Sequence, residues 1–517
     1  MRTTPAPAAT PATAPAFSIP KSVGIFAVLY LLAWSLLPPL LAQSFPLDVV
    51  ESLTWGREWQ WGTYKHPPLA PAVLHMFWLA FGKAGPFLLS QLCIAATLWC
   101  VWGMGQRLVS RERAFVGTVL AMGVFFYTYP ALEFNHNIAQ MPLWAGLGWC
   151  FLLALQEGKL RHWLLLGLLA GLAMLTKYSM GVVLACLGAY LLLSPARRLL
   201  ARPGPWLALG VMLAVLSPHL VWLWQSDWLP MAYASRRAAT DSAYHPALSA
   251  LNFVATQALN HLPMAVIVLV AAWRARKSLG SHRPVSAPEP DRLHTAWPGF
   301  LLTMALGPAV LIALLGLLAG LRLHDMWGAP IWAFSGLLVA AALPAAWVAP
   351  LRPRILCGLA VWLVLISVLA GTYLAYGAQW RNRPARTDWP AAALGAQAQS
   401  TWSALSTCPL DVVAGNYWLA GLATVASPDR PSILIEGDPR YSPWVTLARL
   451  QEHGALWMWE AGAAGQRSAA PPPLDQLHAG EGMGLHEGVW QVPWHYSAQK
   501  APLTVHWRAY VPSACAR

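Results

Sequence analysis

Long apolar runs alternate with short polar segments along most of the chain. Eleven runs contain no Asp, Glu, Lys or Arg, apart from Arg354 at the first position of the last run. They cover residues 22–43, 85–106, 114–130, 139–156, 162–176, 179–195, 205–225, 258–273, 297–321, 327–346 and 354–377. A helix needs about 20 apolar residues to cross the hydrocarbon layer of a membrane. The pattern therefore predicts an all-α polytopic membrane protein with about 11 transmembrane helices.

The polar segments divide the chain into three parts. Residues 1–20 are rich in Pro, Ala and Thr, which predicts a disordered cytoplasmic tail. Residues 21–377 hold the apolar runs and form the predicted transmembrane domain. Residues 378–517 alternate apolar stretches, such as 410–414 and 432–436, with Gly and Pro turns. This last part is predicted to be a small soluble α/β domain.

The polar segment 44–84, between the first two runs, is the first external loop. Residues 47–60 predict an amphipathic helix that carries Trp55 and Trp59 on one face. Residues 68–82 are apolar but too short to span, so they are expected to lie in the membrane interface or to re-enter the membrane.

The distribution of Lys and Arg predicts the orientation. With a cytoplasmic N-terminus, the inside segments hold 17 of these residues and the outside loops before residue 378 hold 7. The positive-inside rule selects this arrangement and leaves the C-terminal domain in the periplasm. Residues 226–257 are then a second external loop. The net charge of +13 mainly reflects this topology. Because the basic residues are scattered over short loops, we expect membrane lipids as partners and no nucleic acid.

Composition agrees with a polytopic membrane protein. Hydrophobic residues make up 57% of the chain and charged residues 11%, against about 25% charged residues in an ordinary soluble domain. Five cysteines lie in apolar runs. Cys408 and Cys515 lie in the external domain, where a disulfide is permitted, and the sequence leaves open whether they pair.

The first external loop concentrates groups that could carry chemistry. Asp48 and Glu51 are three residues apart, which places both carboxylates on one face of a helix. Arg57, Lys65 and His66 follow closely. Acids and bases beside an interfacial apolar segment would suit a lipid-phosphate substrate. The alternative is a solvated amphipathic helix with ordinary surface charges.

A second external turn also carries polar groups. Glu133, Asn135, His136 and Asn137 lie where the third span returns to the fourth, and they either bind sugar or acceptor hydroxyls or cap a helix. Lys177 interrupts two apolar runs at the outer surface, where it either meets a phosphate or marks a tight turn.

The order of these motifs resembles bacterial glycosyltransferase family 39, whose members are similar to protein O-mannosyltransferases and to the aminoarabinose transferase of lipid A. The resemblance covers about residues 40–380. It is carried by Leu47-Asp48-Val49-Val50-Glu51, Trp55-Gly56-Arg57-Glu58, Gly62-Thr63-Tyr64-Lys65-His66-Pro67-Pro68-Leu69, Phe81-Gly82, Asn135-His136-Asn137, Leu175-Thr176-Lys177-Tyr178, Pro218-His219-Leu220-Val221-Trp222 and Met326-Trp327-Gly328-Ala329-Pro330.

The resemblance implies a GT-C fold, an active site at the outer membrane surface and a lipid-phosphate sugar donor. It assigns Asp48 as the catalytic acid–base candidate. The chain departs from the family pattern at Val49 and Asn137, where members often have acids. Lys65-His66 stands where the aminoarabinose branch has a Glu-Lys pair, and Lys65 cannot replace a carboxylate metal ligand. We therefore expect no cofactor and no metal requirement.

The expected function is transfer of a sugar from a polyprenyl-phosphate donor to a lipid, glycan or protein hydroxyl on the periplasmic face. Asp48 would deprotonate the acceptor, while Glu51 and Asn137 orient sugar or acceptor. The donor phosphate would lie near Arg57, Lys65, His66 or Lys177. A single displacement would make this hexosyl- or pentosyltransferase inverting.

Two alternatives stand beside this expectation. One is a transporter or flippase of lipid-linked sugars, and the other is a polysaccharide ligase or polymerase of similar architecture. Apart from Arg354 at the edge of the last run, the eleven runs lack acids and Lys or Arg, which counts against ion-coupled transport.

Overall fold

The computed structural model describes residues 18–238, 245–281, 299–460, 474, 482–495 and 501–517. Most of the predicted tail 1–20 lies outside these residues, and so do Arg2, Arg283 and Arg292 of the charge count.

Helices dominate the described chain. There are eighteen α-helices within the described residues. They are α1 Lys21–Leu41, α2 Leu47–Arg57, α3 Leu69–Phe81, α4 Gly85–Leu108, α5 Arg111–Leu120, α6 His136–Glu157, α7 Leu160–Met174, α8 Gly181–Leu193, α9 Pro203–Gln225, α10 Leu229–Ala238, α11 Pro246–Asn260, α12 Leu262–Ser281, α13 Phe300–Leu318, α14 Ser335–Ala342, α15 Ala345–Trp380, α16 Ala391–Leu405, α17 Leu419–Ala426 and α18 Leu447–His453.

The membrane part agrees with the apolar pattern. Among the described residues, six helices are long and apolar enough to cross a membrane, or up to nine if each of three bent pairs forms one span. Leu160–Met174 and Ile331–Ala342 are shorter apolar helices. Each of the eleven predicted runs coincides with one of these segments, so the polytopic all-α architecture is confirmed.

The segment 226–257, predicted as an external loop, contains the helices α10 and α11. Helix α11 meets α12 at a bend of 45°. The polar residues of α11 make the segment less hydrophobic in sequence, but in the fold they form hydrogen bonds with other parts of the chain. Gln257, for example, accepts a hydrogen bond from Trp332 Nε1 at 2.9 Å and donates one to the Asp325 carbonyl oxygen at 3.2 Å.

Two other segments differ from their predicted form. The interfacial segment 68–82 is the helix α3, which together with α4 forms one apolar stretch, Leu69–Leu108. The predicted span 114–130 is broken by 86°. The backbone of Val124 is extended at this break, so the helical hydrogen-bond ladder cannot continue through it.

The C-terminal part forms the predicted small α/β domain. Its strands are β1 Val412–Gly415, β2 Ser432–Ile435, β3 Ala455–Glu460, β4 Met483–Val492 and β5 Leu503–Pro512. They form one sheet in the order β2-β1-β3-β5-β4. Strand β1 runs parallel to β2 and β3, while β5 runs antiparallel to β3 and β4. A disulfide joins Cys408 to Cys515 across 107 positions and ties the end of the chain to the start of the sheet.

The C-terminal domain packs directly on the first external loop. Val50, Trp55 and Tyr64 of the loop belong to the same hydrophobic core as residues of α17 and the sheet. The approach is close enough that a Cβ on Gly421 of α17 would lie 2.8 Å from Val50 Cγ1. Helix α2 is therefore enclosed between the membrane helices and the domain.

Candidate active site

Helix α2 carries the two carboxylates of the first loop in an enclosed setting. All eight residues from 49 to 56 are buried. Val49 packs into the core of the membrane helices and Val50 into the core of the C-terminal domain. Glu51 follows in the same buried turn, and Asp48 is half-buried in the first turn, where the helix dipole stabilises a negative charge.

The loop that follows α2 brings Lys65 back onto Glu51. Their side chains form an ion pair in which the side chain of Lys65 is 11% exposed and that of Glu51 is 7% exposed. Burial raises the pKa of Glu51, while the Lys65 ammonium and its hydrogen bond oppose that rise. Because the pair is largely dehydrated, each charge depends on the other.

An aromatic cage surrounds the ammonium of Lys65. The distances from Nζ to the ring centroids are 4.6 Å for Tyr417, 5.3 Å for Tyr64, 5.6 Å for Tyr233 and 5.9 Å for Trp55. These rings come from the first loop, from α10 and from the turn after β1. Such faces attract a cation through the ring quadrupole.

His66 and His136 lie against each other with ring centroids 3.9 Å apart. Burial lowers the pKa of His66 well below its usual range, and the neighbouring His136, Lys177 and Lys65 lower it further. His66 is therefore neutral at physiological pH, so it can give a phosphate a hydrogen bond but no positive charge. In the described structure, Nε2 of His136 is buried without a hydrogen-bond partner.

The second external turn opens α6 with a helix cap. Asn135 Oδ1 accepts hydrogen bonds from the backbone N–H groups of Asn137 at 2.8 Å and Ile138 at 3.1 Å. The side chain of Asn135 also hydrogen-bonds Glu133. Asn135 thus performs the capping role that the sequence left open, and its role as a sugar ligand stays a prediction.

Lys177 reaches the same turn from the far end of α7. Its Nζ donates a 2.6 Å hydrogen bond to Asn137 Oδ1. Dehydration lowers the pKa of Lys177 to about 8, against the opposing field of Asp48. Dehydration raises the pKa of Glu133 to about 8, and Asp48 adds to that rise. Asp48 therefore lies within electrostatic range of Glu51, Glu133 and Lys177.

Arg57 is the one predicted site residue that lies apart. It sits in the last turn of α2, beside Glu58 at 3.9 Å. Glu58 in turn hydrogen-bonds Ser432 of the C-terminal domain. The helix also ends there, and Trp59 has a left-handed backbone with φ of 50°. The prediction that Trp55 and Trp59 share a helix face was wrong, since Trp55 is buried and Trp59 is 59% exposed.

Two of the sequence motifs meet beside the first loop. His219 donates from Nδ1 to the carbonyl oxygen of Trp61 at 2.6 Å, which leaves Nε2 to accept from the Tyr178 hydroxyl at 3.1 Å. A Cβ on Gly62 would lie 2.4 Å from the Trp222 ring, so only glycine fits there. These residues fix the loop that carries Lys65.

Sequence reasoning missed the contributions of Tyr233, Tyr417 and Glu436. The backbone N–H of Tyr417 donates to the Glu436 carboxylate, and burial raises the pKa of Glu436. Glu436 directly follows β2 and Tyr417 lies two residues after β1, at the carboxyl edge where open α/β sheets bind ligands. The strand pattern of 410–414 and 432–436 was the available signal.

The raised pKa of Glu133 leads to a pH-dependent prediction. The pKa of Glu133 is higher in the folded chain than its ordinary value of 4.5. The contribution of Glu133 to the free energy of unfolding is therefore complete below pH 4.5 and is lost as the pH rises towards 8. Glu133→Gln keeps a neutral side chain at every pH. Its melting temperature should match that of the wild type near pH 5 and exceed it by roughly 2–4 °C near pH 8.5.

Differential scanning fluorimetry in detergent measures this difference. Glu452→Gln, at an exposed position of α18, is the control and should show the same small offset at both pH values. An offset for Glu133→Gln that does not grow with pH would contradict a protonated Glu133.

Polytopic helices, a C-terminal α/β domain and carboxylates and lysines gathered between them are features of the GT-C fold, a fold of membrane glycosyltransferases. A family model described as dolichyl-phosphate-mannose-protein mannosyltransferase matches residues 65–222. The chain has the GT-C fold that the first-loop resemblance predicted, and the family match supports a glycosyltransferase.

Two relatives cover nearly the whole chain. The lipopolysaccharide core galacturonosyltransferase RgtB of Rhizobium johnstonii is 25% identical over 486 residues, which are 88% of this chain and 91% of RgtB. The crystal structure of ArnT from Cupriavidus metallidurans bound to undecaprenyl phosphate is similar with a TM-score of 0.58 and 16% identity, covering 94% of this chain and 98% of ArnT. The apo structure of ArnT gives a TM-score of 0.59 with 14% identity.

Proposed function

We propose that this protein transfers a sugar from a polyprenyl-phosphate donor to an acceptor hydroxyl on the periplasmic face of the bacterial inner membrane. The observation that carries the proposal is the convergence of Asp48 with Lys177 and Glu133, next to the Lys65–Glu51 pair. A proton acceptor and cations for a phosphate thus lie together where the domain meets the membrane helices.

The reaction that fits this arrangement is a single displacement. The Asp48 carboxylate accepts the proton of the acceptor hydroxyl, whose oxygen forms a bond to the anomeric carbon of the sugar. The bond from that carbon to the phosphate oxygen breaks, and its electron pair leaves with the polyprenyl phosphate. Lys177, protonated at neutral pH, and Lys65 neutralise the leaving phosphate. Attack opposite the leaving group inverts the anomeric carbon.

The relatives support a substrate class. ArnT was crystallised with undecaprenyl phosphate, which supports a polyprenyl-phosphate donor. RgtB acts on the lipopolysaccharide core, which supports a lipopolysaccharide hydroxyl as the acceptor and galacturonic acid as the first sugar to test. We retain the expectation that no metal is required, because Lys65 already provides a cation beside Glu51.

Release of polyprenyl phosphate from a labelled donor tests the proposal. Membranes that contain the protein are expected to consume an undecaprenyl-phosphate-linked sugar and to label added lipopolysaccharide, with unchanged rate in EDTA. Membranes from cells without the gene are the control. Transport of the donor without cleavage would support the flippase alternative and contradict the proposal, while a rate that falls in EDTA would contradict only the metal expectation.

A further inference from the structure

A cavity of about 380 Å³ lies on the other side of α2 from the candidate active site. It opens where the end of α1, the turn between α3 and α4, and the helices α16 and α17 meet. We call it the seam cavity, and its wall includes Val50, Trp78, Lys83, Leu422 and Arg430. Val50 lies in the seam cavity while the neighbouring Glu51 pairs with Lys65.

The rim of the seam cavity is positively charged. Its lining residues include Lys83 and Arg430 and no acid. Both side chains are exposed, and no described carboxylate forms an ion pair with either. The guanidinium of Arg430 lies over Trp78, 5.8 Å from the ring centroid. The backbone of Arg430 is left-handed, with φ of 47°, a conformation that is costly for a side chain of this size.

The wall of the seam cavity is apolar on the membrane side. Pro39 of α1 and Phe87 of α4 belong to helices that can cross a membrane, and Phe45 and Trp78 pack edge to face between them. The uncharged polar residues Gln43, Ser44 and Ser427 complete the lining. The cavity therefore offers cations to a head group and apolar surface to a chain attached to it.

We propose that the seam cavity binds a phosphate-bearing membrane lipid, with its phosphate between Lys83 and Arg430 and the first part of its chain against Phe45 and Phe87. Charge complementarity and continuity with the membrane-facing helices favour this occupant over a soluble anion or a peptide. Lys83 belongs to the membrane part and Arg430 to the C-terminal domain. The bound phosphate thus ties the domain to the membrane helices on the side opposite the reacting site.

Native mass spectrometry of the full-length protein in detergent tests this site. Phosphatidylglycerol is the probe. Diacylglycerol with the same acyl chains is the comparison ligand, because it lacks only the phosphoglycerol head group. We expect retained phosphatidylglycerol and little diacylglycerol on the wild type. Lys83→Ala and Arg430→Ala should each weaken phosphatidylglycerol binding roughly fivefold. Ala392→Trp fills the cavity at an exposed lining position and should remove the adduct without changing any charge.

A matched control removes a cation from elsewhere on the same face. Arg322 is exposed and does not line the seam cavity, so Arg322→Ala should retain the lipid. Equal retention by the Lys83→Ala/Arg430→Ala double variant and the wild type would overturn the proposal. So would equal binding of diacylglycerol, or displacement of the lipid by millimolar inorganic phosphate. Melting temperatures of all variants distinguish lost binding from lost folding.

Discussion

Asp48→Asn is expected to abolish sugar transfer while the protein remains folded. The substitution keeps the size of the side chain and removes its ability to accept a proton at neutral pH. General-base catalysis contributes about 10²–10⁴-fold to such a reaction, and the transfer rate should fall by that factor. The half-buried position of Asp48 in the first turn of α2 tolerates an amide. The measurement is release of polyprenyl phosphate from labelled donor in a single turnover.

The control for Asp48→Asn is Asp227→Asn. Asp227 is an exposed acid that follows α9, and its left-handed backbone, with φ of 50°, suits Asn as well as Asp. Asp227→Asn should retain full activity. If Asp48→Asn also retained it, another group would have to accept the proton, and Glu51 and Glu133 would be the candidates.

Lys65→Met is expected to lower both stability and activity. The substitution leaves the Glu51 carboxylate buried without its partner, which costs about 3–5 kcal/mol in the free energy of unfolding. The exposed pair of Lys159 and Glu157 is the matched control, and Lys159→Met should cost at most about 1 kcal/mol. Thermal unfolding in detergent measures both. A melting temperature of Lys65→Met equal to that of the wild type would contradict the dependence of Glu51 on Lys65.

A double variant separates the structural and chemical roles of Lys65. Glu51→Gln/Lys65→Met removes both charges and should recover most of the lost stability, because no unpaired charge stays buried. If Lys65 also neutralises the donor phosphate, the double variant should remain inactive. Recovered transfer would mean that Lys65 only balances Glu51.

The helical topology and several members of the site could be predicted from local pattern. Charge-free runs of membrane-spanning length locate the helices because lipid enforces long apolar segments. The exception was α11, whose polar Gln257 pairs with the indole of Trp332, a partner 75 positions away that no local pattern indicates. Asn137 and Lys177 lie in two turns that the sequence predicts on the same side of the membrane. A hydrogen bond between their side chains joins these two turns.

The composition of the site could be predicted only in part. Asp48 and Arg57 are nine positions apart, so a helix places them on opposite faces and about 13 Å apart along its axis. A list of charges in the loop could not separate them. The aromatic cage around Lys65 includes Tyr417, 352 positions away in a different domain. Such a contact depends on how the domain packs on α2, which side-chain periodicity does not encode.

The enclosure of α2 between two parts of the chain imposes an order on biogenesis. The helix that carries Asp48 and Glu51 leaves the ribosome well before the domain that covers it. The strands and helices of that domain all come after residue 390. The covered site can therefore form only after the domain has been synthesised and has packed on α2. A nascent chain that lacks the domain has Val50, Trp55 and Tyr64 without their cover, so α2 reaches its final surroundings late in folding.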